Sequence, residues 1–537
     1  MMKKIFKIEK IAILFLIIVV SLSSCTKDLD ITPQDDQDLL GEDFFKKETA
    51  YKELLAGVYA NLSLTGINGE GSSNIEGLDA GTSQFGRVLL YLQTLSADQM
   101  IWSYENDPGT REIQRNIWNA DDPIIYGMFG RTHVTIAFAN NFLRETTDEK
   151  LASRNVSDAT KTEIVKYRAE ARLLRAMSYY YMMDLFGQAN FSTENDAINA
   201  QPLAYNRQQL FDFVEAELTA IEADLAEPMN VEHGRASKGV AWMILAKMYL
   251  NAEVYIGQPK YTEALDNCKK IIAGGYILAD NYLHNFMADN NTNSAVNEII
   301  FPIISDGQIT KNFGPTTVMI NGSVGSTEDN GVALGVGADG WGGALRLRKQ
   351  FVQLFDGSVF NNDTRNTIIS AGRDIEITDI SNQDQGYILE KYSNATSTGG
   401  FGVDQTLVDT DFPLFRLADV YLMYAEAHLR GGAGANPADL TQYINAIRTR
   451  ANNPQNTLTI SDIDLDFIID ERARELHWEA HRRQDLIRFG RFTGGSYNWT
   501  WKGNGTNGIA LPAHFNLYPI PAASLASNPS LTQNVGY

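Results

Sequence analysis

Two histidines four apart, His477 and His481 in "HWEAH", are the first residues to test for chemistry. On a helix, positions i and i+4 share a face, which is the spacing a zinc site uses. A zinc hydrolase built this way carries a glutamate directly after the first histidine. Here Trp478 fills that place and Glu479 comes one later. Arg472, Arg474, Arg482 and Arg483 interleave with Asp470, Glu471, Glu475 and Asp485, as in a packing helix laced by i, i+4 ion pairs. There is no G-x-S-x-G elbow, no G-x-x-x-x-G-K-[ST] loop and no Cys/His cluster. The chain reads as non-catalytic. A glycoside hydrolase is the alternative from another class; it needs two carboxylates facing each other across a sugar cleft, and among 66 acidic residues no local motif selects such a pair.

Oxygen ligands come next. "VDTDFP" (408–413) sets Asp409 and Asp411 at alternate positions, and "MADNNTN" (287–293) is a second oxygen-rich loop containing Asn291. Calcium takes carboxylate and carbonyl oxygens from such loops; solvated turns and helix caps use the same residues.

The remaining candidates are aromatic. Trp102 and Tyr104 sit two apart in "QMIWSYENDP", and an extended chain turns such residues to one side. The acidic, turn-forming tail after them places that side near solvent. Trp118, Phe313 and a glycine-flanked Trp341 in "ADGWGGA" are further loose rings. Core burial is the competing reading for each. A flat ring with a polar rim suits the C–H face of a sugar, with Asp, Asn and Arg as hydrogen-bond partners.

These candidates need elements to hold them. Helical periodicity marks 49–62, 132–145, 160–187, 207–225, 236–255, 260–275, 414–432 and 436–451, with a last long helix over 464–490. The segments 236–255 and 260–275 form a tetratricopeptide-like pair, and 414–432 with 436–451 repeats it imperfectly. The expected fold is mostly α: stacked helix pairs as a scaffold, mainly 42–62, 131–275 and 412–490. Two Gly- and Asn-rich inserts, about 63–130 and 276–411, interrupt it. They are too long to be connectors and suit a binding face.

The chain has 537 residues and a formal charge of −21, which excludes nucleic acid as a partner, since phosphate binding needs a basic stripe. Lys3, Lys4, Lys7 and Lys10 precede an apolar run from Ile11 to Val20 that is too short to span a bilayer. Residues 1–24 read as a signal peptide. Its end, "LSSC", resembles a bacterial lipobox, in which Cys25 takes lipid; an ordinary signal peptide is the alternative. Residues 25–41, polar and acidic, read as a tether. With Cys25 lipidated, Cys268 has no disulfide partner.

The lipobox, "LRAMSYYYMMDLFG", "GRASKGVAWMILAKMYLNAEVYIGQ", "PLFRLADVYLMYAEA", "INAIRTRA", "ERARELHWEAHRRQDLIRFGRF" and "YPIPAASLASNPSLTQNVGY" together resemble the SusD/RagB family, over nearly the whole mature chain and in family order. The resemblance implies a single SusD-like domain over 42–537, with four tetratricopeptide-like pairs under a glycan-binding face. It implies a lipid-anchored protein on the outer-membrane surface, partnered with a SusC-like, TonB-dependent transporter. The inserts are similar to those of the family's starch-binding prototype, which implies α-glucan (starch and malto-oligosaccharides) as ligand; another glycan on the same face and a structural lid without sugar contact are the alternatives. Carried over residue by residue, the glycan site is Asp79, Arg87, Trp102, Tyr104 (at a tryptophan position), Asn106 (across a one-residue gap), Phe313 (at a tyrosine position) and Trp341. The loss of a hydroxyl at Phe313 costs a hydrogen bond and keeps the ring. Asp409 and Asp411, with Asn291 as a poorer match, fall on the prototype's calcium ligands.

Overall fold

The computed structural model describes residues 41–537. They fall in two compact units, one ending at Tyr51 and one spanning Lys52–Tyr537. The described part of the first unit holds a single helical turn, Gly41–Phe44, and the start of the helix Ala50–Ser63. The signal segment, Cys25 and all but the last residue of the tether lie outside the described residues.

The second unit is mostly helical, and local capping explains where its helices begin and end. Asp122 accepts from the N–H groups of Ile124 and Ile125, and Pro123 opens the helix Pro123–Glu145. That helix begins nine residues before the expected start. Ser157 caps Asp158–Phe186, which stops at Gly187 in the left-handed region (φ 68°). Asn206 and Gln209 form a capping box at the head of Arg207–Ile221. Lys238–Leu250 is apolar on nearly all sides and buried from Gly239 onward, with its one buried charge, Lys247, paired to Asp419.

The order of packing matters more than the number of helices. Pro123–Glu145 packs on Asp158–Phe186, which packs on Arg207–Ile221. Lys238–Leu250 packs on Tyr261–Ala273, which packs directly on Leu417–Leu429, and that helix in turn packs on Pro437–Arg450. The second insert is thus looped out between two helices that are neighbours in space. Its strand Ile299–Ile303 pairs antiparallel with Phe412–Arg416 at the return point. A second antiparallel ribbon joins the two inserts, with Met100 opposite Leu347 and Trp102 opposite Leu345.

The expected long helix over 464–490 is broken. Leu465–Leu476 and Arg482–Arg488 are separate helices, and between them Trp478 and Ala480 take positive φ of 59°. His477 and His481 therefore do not share a helix face. The freed backbone groups find partners from elsewhere in the fold: Lys391 donates to the His477 carbonyl, Tyr392 to that of Trp478, and the Trp478 N–H donates to Gln99. The charged residues of this region are buried rather than solvated. Arg416 donates to Glu298, Glu475 and Glu479, Arg365 pairs with Asp363 and Glu471, and Lys391 pairs with Glu479.

Candidate functional site

The strand Met100–Trp102 carries the first ring. The Gln114 side-chain amide accepts from the Trp102 N–H (2.8 Å) and donates to the Trp102 carbonyl (3.0 Å), so it stands in for a third strand. Trp102 is only 2% exposed, which corrects the expectation of a surface ring. Tyr104 and Trp341 pack edge-to-face on it, with centroids 5.4 and 5.8 Å away and interplanar angles of 87° and 84°. Tyr104 is 41% exposed, and Trp341 is half-buried. Trp102 is thus the floor on which two accessible rings stand. The alternating spacing placed Trp102 and Tyr104 together correctly, but Trp341, coming in from the other insert, helps cover the first of them.

A cleft of about 250 Å³ is lined by Asp79, Arg87, Tyr91, Asp107, Thr110 and Phe313. Arg87 leaves the helix Phe85–Leu90, capped by Gln84, just before the chain winds into a π-helical turn, Tyr91–Leu95. Its Nε donates to the Tyr91 hydroxyl (3.2 Å), and the guanidinium lies over Gly81, where a Cβ would come within 3.0 Å of Cζ. Burial pushes the Tyr91 phenol up, against the pull of Arg87, so it stays protonated. Asp79 is exposed, and its Oδ1 accepts from the Thr82 N–H and hydroxyl.

Asp107 links this cleft to the rings: its Oδ2 accepts from the Trp102 indole Nε1 at 2.9 Å. Asn106, the expected asparagine, stands next to Asp107 in the chain. Asn106 is exposed and is not among the cleft-lining residues, whereas Asp107 is. Trp118 leaves the list of loose rings. It is buried, its Nε1 donates to the Tyr537 hydroxyl (2.8 Å), and Phe515 and Tyr518 pack on it.

The expected calcium ligands are placed differently. Asp409 accepts from the Gly307 and Val403 N–H groups (2.8 and 2.9 Å). Asp411 is buried, accepts from the Ser305 N–H (2.7 Å) and faces His233 Nε2 (2.6 Å). Burial pushes its carboxyl up, against the pull of His233. Asn291 is exposed; its neighbour Asn290 is the one that reaches the loop, donating to the Asp411 carbonyl (2.9 Å), and its Oδ1 is buried without a partner. Among the described residues no three His, Cys, Asp or Glu side chains are grouped to hold a metal. The carboxylates are occupied by internal donors, so an ion would have to displace His233 or share oxygens with backbone N–H groups.

Flat rings beside a cleft of carboxylates, a guanidinium and hydroxyls can grip both the faces and the edges of a sugar. Known proteins agree with that reading. Across 100% of the chain and 99% of the relative, the protein is 33% identical to the starch-binding protein SusD of Bacteroides thetaiotaomicron. The chain belongs to the SusD family. A family model described as "SusD family" matches residues 323–537. SusD-like protein P25 of Formosa agariphila is 24% identical over 98% of both chains. Among solved structures, surface glycan-binding protein A from Bacteroides thetaiotaomicron superposes with a TM-score of 0.69 at 21% identity, covering 92% of this chain and 100% of the other. The same protein in complex with laminarihexaose gives 0.66 at 20% identity, covering 90% and 98%. The mostly helical architecture is therefore that of the SusD superfamily. As a SusD family member the protein is a glycan-binding protein and not an enzyme. No helix among the described residues is long and apolar enough to cross a membrane.

Proposed function

We propose that this SusD family protein binds starch-type α-glucan at the cell surface and passes it to a TonB-dependent outer-membrane transporter. The observation that carries the ligand reading is the pair Tyr104 and Trp341, raised on the buried Trp102 beside the cleft of Asp79, Arg87, Asp107 and Phe313. Tyr104 and Trp341 come from two separate inserts, and we read them as a curved platform rather than a flat strip. An α-1,4 chain coils and a β-1,4 chain runs straight, and a surface already shaped for a coil avoids the entropy of bending its ligand.

Calorimetric titration tests this. Maltoheptaose and cyclodextrin should bind, and cellohexaose should bind little. Trp341→Ala should weaken the α-glucan by roughly 1–3 kcal/mol, by analogy with base–aromatic stacking, and leave the melting temperature nearly unchanged. Equal affinity for coiled and straight chains would reject the α-glucan reading, and preference for laminarihexaose would move the ligand to a β-1,3 glycan. The same titrations and melts with calcium or with a chelator test an ion at the Asp409–Asp411 loop. The buried Asn290 Oδ1, without a partner beside the Asp411 loop, supports that ion, and a melting curve indifferent to both additions rejects it.

The surface role rests on Cys25 and the resemblance of "LSSC" to a lipobox. Lipid on Cys25 supplies the hydrophobic anchor. Cys25→Ala should therefore leave the membrane fraction and no longer co-purify with the transporter. A variant that still sediments with outer membranes would end the anchoring proposal.

A further inference from the structure

Tyr104 has a second role in this geometry. Its hydroxyl crosses between the two inserts and donates to the main-chain carbonyl of Trp341 at 3.0 Å. On its other side Trp341 is held by its own N–H, which donates to the Asn321 carbonyl (2.9 Å) at the end of the helix Pro315–Gly322. Two residues on, the Gly343 N–H donates to Val324. Gly340, Gly342 and Gly343 around this ring all take positive φ, 41°, 62° and 74°. Glycine reaches such angles without steric cost, and for the same reason it resists rotation least. The peptide that carries the ring is thus pinned at its N–H by one insert's own helix and at its carbonyl by a tyrosine 237 residues away.

We propose that Tyr104 is a positioning residue as well as a sugar-facing ring: its hydroxyl clamps the glycine-flanked loop and fixes the spacing between the Tyr104 and Trp341 rings before a glycan arrives. This rests on the glycan-binding reading above. The clamp moves the ordering cost of the loop from binding to folding, which is how preorganisation raises affinity. It also gives the tyrosine at this position a function that a larger ring without a hydroxyl could not supply.

Tyr104→Phe keeps the ring and removes the hydroxyl. Tyr104→Trp enlarges the ring, also without a hydroxyl. Both change a well-exposed side chain, so both should fold with unchanged melting temperature. Hydrogen exchange in the unliganded protein should quicken across 340–343 in both variants and stay unchanged elsewhere. Affinity of Tyr104→Phe for maltoheptaose should fall on the order of 2- to 10-fold, the range expected for one net hydrogen bond. Tyr104→Trp should not recover it, despite its larger stacking area. Faster exchange with unchanged affinity overturns the proposal, as does unchanged exchange. Failure of the wild-type protein to bind any glucan is a different result: it rejects the ligand reading, and exchange alone then decides whether the clamp exists.

Discussion

Trp102→Ala should unfold the binding face rather than simply weaken it. The indole is 2% exposed, packs at near right angles against Tyr104 and Trp341 and holds Asp107 through Nε1. Truncating a buried tryptophan to alanine costs about 3–5 kcal/mol. The denaturation midpoint should therefore drop clearly, in contrast to Trp341→Ala. Glycan binding should disappear even below the transition, because the two remaining rings lose their common support and Asp107 loses its fixed partner. Trp102→Phe should recover part of the stability without the indole hydrogen bond. A Trp102→Ala protein that melts like wild type and loses only sugar affinity would mean the ring contacts the ligand directly and the floor is elsewhere.

A second large effect is expected far from the site. Arg416→Met should cost about 3–5 kcal/mol, because it removes the cation from three buried carboxylates at once. Arg416 Nε and Nη2 reach Glu479 at 2.6 and 2.9 Å, and Nη1 reaches Glu475 at 2.7 Å and Glu298 at 2.9 Å. Burial alone would push the Glu475 carboxyl up, but Arg450, Arg416 and Arg365 outweigh it and hold it near about 2. Glu471 and Asp485 are likewise held low, against burial, by arginines. A carboxyl with a depressed folded value contributes stability above its unfolded value of about 4, and that stability is lost as pH falls through the folded value. These carboxylates should thus add a steep decline in wild-type stability from about pH 4 toward 2. In Arg416→Met the midpoint at pH 7 should already be lowered, while glycan affinity of the folded protein is unchanged. A wild-type midpoint independent of pH across that window, or a mutant as stable as wild type, would show that these pairs are not what holds this core.

How far residues alone could be read depended on how local the cause was. Helix ends set by neighbours were legible: Gly187, Asn206 and the largely apolar surface of Lys238–Leu250 stand where pattern and capping rules put them. The early start at Pro123 was hidden by Gly127 and Gly130, which read as loop. They are glycines because the first insert lies on the helix: a Cβ on Gly127 would sit 1.7 Å from the Thr82 carbonyl oxygen, and one on Gly130 would sit 3.2 Å from Ile75. The break at 477–481 was illegible for a related reason. Its residues are acceptable helix formers, and the donors that reward unwinding, Lys391 and Tyr392, lie 86 residues away. At the site, the ring types and the cleft residues Asp79, Arg87 and Phe313 were legible from the resemblance. The buried state of Trp102 follows from packing between two inserts, which no window of sequence contains, and the Gln114 brace and the Asp107 contact depend on the exact turn that the backbone takes after the strand.

The ribbon between Met100–Trp102 and Leu345–Leu347 has a kinetic consequence. Its strands come from two inserts far apart in sequence, and closing a loop of that length must be paid before its contacts give anything back. The helix pairs are built from near neighbours and can form early. The ribbon must wait until the second insert has arrived, and with it the Trp102 floor, the Tyr104–Trp341 contact and the cleft. Capture of a ligand is therefore acquired after the helix pairs, and a half-folded molecule has a scaffold but no grip. Recovery of binding during refolding should lag the return of helical signal, and the interval between them measures the assembly of that one short ribbon.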